Sequence, residues 1–118
     1  MAFSVDHESR VTLFEQLMAQ FRAQLDAGTL IAGTKLSTVR ALATELAVAP
    51  YTVARVYRAL ETDGFVETLG RNGTVVLATG DTATDLLQIA ASDYARRSRE
   101  LGIDASAAAD YIRRALEL

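Results

Sequence analysis

One proline constrains this chain more than any other residue. Pro50 follows Ala47-Val48-Ala49 and stands between two short segments whose apolar residues recur at helical spacing. Its ring fixes φ and it has no N–H, so it disrupts a helix interior but suits a first turn, where that N–H has no partner. The chain before Pro50 therefore predicts a short helix and a turn, and the chain after it a second helix. Ser37 or Thr38 offers the capping hydroxyl for the first of these, which runs to Leu46 with Leu42 and Leu46 inward. The helix after Pro50 reaches about Asp63, and Gly64 ends it. Val53, Val56, Tyr57 and Leu60 form its apolar stripe, while Tyr51, Arg55 and Arg58 fall on the opposite side.

The flanks complete the pattern. From about Arg10 to Ala27, Phe14, Leu17, Met18, Phe21 and Leu25 recur as on a helix, and Gly28 stops it. Thr29 to Lys35 is expected to be a connection. Phe65 to Leu69 and Thr74 to Leu77 are β-prone and enclose Gly70-Arg71-Asn72-Gly73, whose Asn-Gly pair signals a hairpin. After Gly80 the helical pattern returns over about Thr82 to Leu101. Gly102 breaks it, Asp104 caps a last helix, and Ala108, Tyr111, Ile112 and Ala115 line that helix. The expected fold is mainly α with a small β-hairpin wing. A winged helix-turn-helix occupies residues 1–79, and a two-helix extension occupies 80–118.

Composition narrows the chemistry. The chain has 118 residues, half of them hydrophobic, enough to bury a real core. With one histidine, one lysine and no cysteine, thiolate metal sites and cysteine nucleophiles are excluded, and no carboxylate pair stands out as an acid–base couple. Neither a catalytic activity nor a cofactor is expected. His7, near the terminus, is expected to be solvated. Met1 to Arg10 has no apolar leader core, and no run of about 18 apolar residues occurs, which predicts a cytoplasmic protein off the membrane.

The element order has a physical use. A helix braced by its neighbour can enter a major groove about 12 Å wide, and its outward polar side chains then reach base edges. A glycine-tipped hairpin carrying a cation can lie on the backbone or in the minor groove. A net charge of −3 opposes this, because nucleic-acid binders are usually basic. Between Lys35 and Arg71, however, Lys35, Arg40, Arg55, Arg58 and Arg71 meet Glu45, Glu61, Asp63 and Glu67. A binding face therefore requires these charges to be segregated across helix faces.

Gly28-x-Leu30-x-x-Gly33-x-Lys35-Leu36-x-Thr38-Val39-Arg40-x-Leu42-Ala43, then Pro50-x-Thr52-Val53, Glu61-x-Asp63-Gly64 and Gly70-Arg71-Asn72-Gly73-Thr74, resembles the GntR family of bacterial regulators. About forty residues follow the wing, which resembles the short YtrA-like subfamily, whose two C-terminal helices serve dimerisation. The resemblance implies a dimeric regulator, expected to act as a repressor, on a pseudo-palindromic operator in double-stranded DNA. It places Thr38 at the family's capping serine, Arg40 at an arginine that contacts DNA, and Pro50, Tyr51 and Thr52 at the start of the recognition helix. Arg55 matches a basic position within that helix, and Arg71, Asn72 and Gly73 match the wing tip. Lys35 and Arg58 complete the candidate DNA-binding set. Two positions depart from the family pattern: Ser37 stands where proline is usual, which leaves the start of the second helix less rigid, and Leu69 where a polar residue often precedes the wing glycine.

Leu86, Leu87, Ile89 and Tyr94 in one C-terminal helix, with Tyr111, Ile112 and Leu116 in the other, are the candidate dimerisation residues, since apolar groups occupy more than one side. A small-molecule effector of unknown identity has room between these helices and the winged part, although no polar cluster in the sequence marks a site. The competing reading is a winged-helix protein-interaction module without direct DNA binding.

Overall fold

The computed structural model describes residues 3–77 and 82–118. Helix α1 spans Leu13–Asp26. It starts later than Arg10 because Thr12 is the cap, its hydroxyl accepting the Glu15 N–H at 3.1 Å. Helix α2 spans Val39–Leu46, and of the two candidate hydroxyls Thr38 caps it, accepting from the Ala41 N–H at 3.0 Å. Ala47 then turns left-handed at φ 54°, and the Val48 N–H returns to the Ala43 carbonyl at 3.0 Å. This is a Schellman-type ending built on alanine where glycine is usual. Helix α3 spans Pro50–Thr62 with proline in its first turn, as its chemistry predicts.

Val53, Val56, Tyr57 and Leu60 of α3 are buried against Leu17 and Phe21 of α1 and Leu42 and Ala43 of α2. Full burial of such a side chain stabilises by about 1.5–3 kcal/mol. Phe21 sits at the centre, with the Tyr57 ring edge-on at 6.0 Å and the Phe3 ring stacked on it at 4.3 Å. The N-terminal strap is held by two glutamines of α1: Gln20 exchanges bonds with the Ser4 backbone, and the Gln16 amide oxygen accepts the Asp6 N–H at 2.8 Å. His7 is exposed but not merely solvated. Its Nε2–H donates to the Leu46 carbonyl at 3.3 Å, because the end of α2 leaves that acceptor without a helical donor.

Strands β1 (Val66–Thr68) and β2 (Thr74–Val76) pair antiparallel, with Val66 opposite Val76. Each is shorter than the β-prone run around it. A 3-10 turn at Gly70–Asn72 lies inside a loop that the Leu69 N–H closes on the Gly73 carbonyl at 2.6 Å. The Asn72-Gly73 pair therefore ends a longer loop and does not form a two-residue hairpin turn. The expected connection before α2 also joins the sheet. Leu36 N–H bonds Thr74 O at 2.8 Å, Val76 N–H bonds Thr34 O at 2.9 Å, and Lys35 lies opposite Val75.

Helix α4 (Thr82–Glu100) and helix α5 (Ala105–Ala115, capped by Asp104) follow. The expected break at Gly80 and the boundary between 79 and 80 lie outside the described residues. Ala108 is buried between the two helices, and the Tyr94 hydroxyl donates to its carbonyl at 2.8 Å. α4 docks on the connection before α2. Ser92 Oγ donates to Ala32 O, and Ala32 N–H donates to Gln88 Oε1, both at 3.0 Å. Gly33, at φ +86°, permits this approach, since a Cβ there would stand 3.0 Å from Ser92 Cβ. The extension lengthens the molecule to 49 × 30 × 29 Å. Its radius of gyration of 15.8 Å exceeds the value of about 13.5 Å for a compact chain of this length.

Burial pushes the Tyr57 phenol up to about 12 from its ordinary 10.0. The folded chain thus holds this proton more tightly than the unfolded chain. Stability from this site is complete below pH 10 and is lost as pH rises towards 12. Thermal melts across this range should show a falling alkaline limb that Tyr57→Phe lacks; identical limbs would show that the phenol does not govern it.

Candidate nucleic-acid interface

The buried stripe of α3 fixes what its other side presents. Tyr51, Arg55 and Arg58, at spacings of four and three, share the exposed side, and Tyr51 is 68% exposed. The two arginines are not loose. The Arg55 guanidinium lies 4.2 Å from the centroid of the Phe14 ring of α1, and that of Arg58 lies 5.7 Å from the Tyr51 ring. Such contacts contribute about 0.5–1 kcal/mol at exposed sites, enough to favour one arrangement of a long side chain. Thr12, Leu13 and Phe14 join Tyr51, Thr52 and Arg55 around a recess of about 270 Å³, so the first turns of α1 and α3 form one surface.

Arg40 is exposed in the first turn of α2, behind the Thr38 cap, and Pro50 is exposed at the start of α3. Arg71 and Asn72 are exposed on the loop between β1 and β2, and Gly73 closes that loop at φ +87°. Lys35 is exposed beside the wing. It packs its stem against Gly73 and borders a separate cleft with α4.

Two of the four carboxylates between Lys35 and Arg71 are engaged by other groups. Asp63 pairs with Arg22 at 3.3 Å, and Glu61 accepts the Thr68 N–H of the wing at 2.8 Å. Arg40, Arg55, Arg58 and Arg71 form no ion pair among the described residues. The start of α2, where Ser37 replaces the usual proline, is braced from α3: the Tyr57 hydroxyl donates to the Ser37 carbonyl at 2.7 Å.

Phe14 has core spacing in the sequence, and nothing there singles out Thr12. In the structure Phe14 is only half-buried, and its place in the first turn of α1 is the one signal of its second role. In the C-terminal helices, Leu86, Leu87, Ile89, Tyr111, Ile112 and Leu116 are exposed, whereas Tyr94 turns inward onto α5. Among the described residues no cluster of acidic or histidine side chains could hold a metal ion, and no helix is long and apolar enough to cross a membrane.

The profile of bacterial regulatory proteins of the gntR family matches residues 13–76, from the start of α1 to the end of β2. The chain is 43% identical over 108 residues to the HTH-type transcriptional regulator Rv1152 of Mycobacterium tuberculosis, spanning 92% of this chain and 88% of that protein. It is 36% identical over 72 residues to the HTH-type transcriptional repressor YtrA of Bacillus subtilis, spanning 61% of this chain and 55% of that one. The fold is similar to that of YtrA from Sulfolobus acidocaldarius, a GntR-family transcription factor, with a TM-score of 0.59 and 24% identity. That likeness covers 96% of this chain and 95% of the other, so it includes the two C-terminal helices. The chain belongs to the gntR family of bacterial regulatory proteins.

Proposed function

We propose that this protein is a homodimeric repressor that occupies a pseudo-palindromic operator in the cytoplasm and performs no catalysis. Sequence-specific DNA binding in transcription regulation follows from its family. Repression is supported by the name of its relative, the transcriptional repressor YtrA of Bacillus subtilis. The observation that carries the reading is the outer side of α3, where exposed Tyr51, Arg55 and Arg58 back onto a fully buried stripe, with the cations steadied on aromatic rings. In this reading α3 enters the major groove, Thr52 and Arg55 approach base edges, and Arg40, Thr38 and the start of α3 at Pro50 lie at the backbone. Arg71, Asn72 and Gly73 reach the adjacent backbone or minor groove. Lys35, beside Gly73, joins the wing tip at the backbone. The winged part over 1–79 reads DNA and 80–118 pairs two chains. Leu87 and Leu116 are 73% and 64% exposed, an apolar surface that a second copy would cover.

If Arg55 reads a base from its seat on Phe14, Arg55→Ala should relax discrimination at particular base pairs by about 1–3 kcal/mol. Phe14→Leu should reproduce part of that loss, although Phe14 itself touches no DNA. Competition binding against operator variants measures both; a loss equal for operator and random duplex would reassign Arg55 to phosphates.

Arg71→Ala should weaken every duplex alike and reduce the slope of log affinity against log salt by about 0.9 for each phosphate it no longer neutralises. An unchanged slope would leave the wing off the DNA.

Two copies related by a two-fold axis would read half-sites about one helical turn apart or a near multiple. Removal of residues from Thr82 onward should therefore give a folded monomer that loses most operator affinity, as judged by light scattering and binding titration. A monomeric full-length chain would refute the dimer. A full-length chain that fails to shift random duplex at low salt would favour a protein-interaction module.

A further inference from the structure

A second cleft, of about 650 Å³, lies between the wing and α4. Its volume falls within the range of sites that enclose small molecules. Three stretches far apart in the chain build it: the connection before α2, the wing, and the C-terminal half of α4. Lys35, Arg96 and Arg99 bring three positive charges to its wall against the single carboxylate of Asp93, in a chain whose net charge is −3. Arg96 pairs with Asp93 at 3.3 Å and reaches Glu100 at 3.8 Å. Lys35 and Arg99 form no ion pair among the described residues. Lys35, the only lysine in the chain, lays its stem beside Gly73, where a Cβ would stand 2.9 Å from its Cε. Asn72, from the wing, adds an amide that can donate.

We propose that this cleft binds a small organic anion, a carboxylate- or phosphate-bearing metabolite, bridged between Lys35 and Arg99. Two oxyanion groups, or one with two free oxygens, satisfy the pair of uncompensated cations, and charge-assisted bonds of this kind are the stronger ones. The ligand touches both the wing and α4, so it acts where Ser92 and Gln88 already tie α4 to Ala32. An anion that binds one wing–α4 angle better than another shifts the population towards that angle. Small-molecule control of the regulator then needs no further effector domain.

The test uses the full-length chain without DNA, so its result is independent of the regulatory reading. Isothermal titration at fixed ionic strength with citrate and with inorganic pyrophosphate should show saturable binding of at least one anion, one per chain, and none of glycerol. Arg99→Gln should weaken it about tenfold, the effect of losing one charge-assisted hydrogen bond. Arg99→Lys should retain most of the affinity. Ala95→Glu, which sets a carboxylate into the cleft wall from an exposed position, should abolish binding while leaving the melting curve in place. Absence of saturable binding of both anions would overturn the proposal, as would equal binding by Arg99→Gln. So would an Arg99→Gln variant whose only change is a shallower salt dependence of DNA affinity, which would assign the cleft to backbone phosphates.

Discussion

Tyr57 joins the three helices of the winged part through two different forces. Its ring stands edge-on to Phe21, which couples α3 to α1 through dispersion and ring quadrupole. Its hydroxyl reaches past the core to the Ser37 carbonyl, which couples α3 to the entry of α2. The remaining core residues of α3 supply burial that many apolar side chains could supply. Tyr57 adds direction, because one end of the side chain must be dry and the other must meet an acceptor. The outward angles of Tyr51, Arg55 and Arg58 follow from it. The departure of the chain from its family at Ser37 is tolerable for the same reason: the rigidity a proline ring would give is supplied by a hydrogen bond from the next helix.

Electrostatics show how an acidic chain can present a cationic face. The carboxylates between α2 and the wing are neither absent nor distant; two of them are occupied. Asp63 is held by Arg22 from α1, and Glu61 by the wing backbone. The arginines of α3 are instead matched with aromatic faces, which steady them without neutralising them. Net charge alone is thus a poor guide to where this protein carries its potential.

Much of the winged part is legible along the chain because its signals are local. Pro50, the Thr38 hydroxyl and the spacing of Val53, Val56, Tyr57 and Leu60 act within one helix or its cap. What escapes depends on segments that meet only after folding. The stretch Thr34–Leu36 has no β signature, yet it pairs with β2 because the wing presents an open edge. The spacing of Phe14 suits a core position, and its second role appears only when α3 lays Arg55 across it. The cationic cleft is invisible for the same reason: Lys35 and Arg99 stand far apart in the chain and share no motif. At the candidate interface, residue types and faces can be read from spacing. The place of Lys35 beside Gly73 cannot, because it depends on strand pairing.

The junction at Gly33 has a mechanical consequence. α4 has 19 residues and so measures about 28 Å, and near its middle Ser92 and Gln88 bond it to the backbone of Ala32. Tilted about this junction, α4 would act as a lever whose pivot lies beside a residue without a side chain. A tilt of about 4° at that pivot moves the far end by roughly 1 Å for each half-length of the helix. Hydrogen bonds to base edges tolerate about 0.5 Å in length, so in the proposed dimer a change too small to alter any helix would detune the spacing of the two reading heads. Glycine at the pivot removes the steric stop that would otherwise hold the lever away from the winged part.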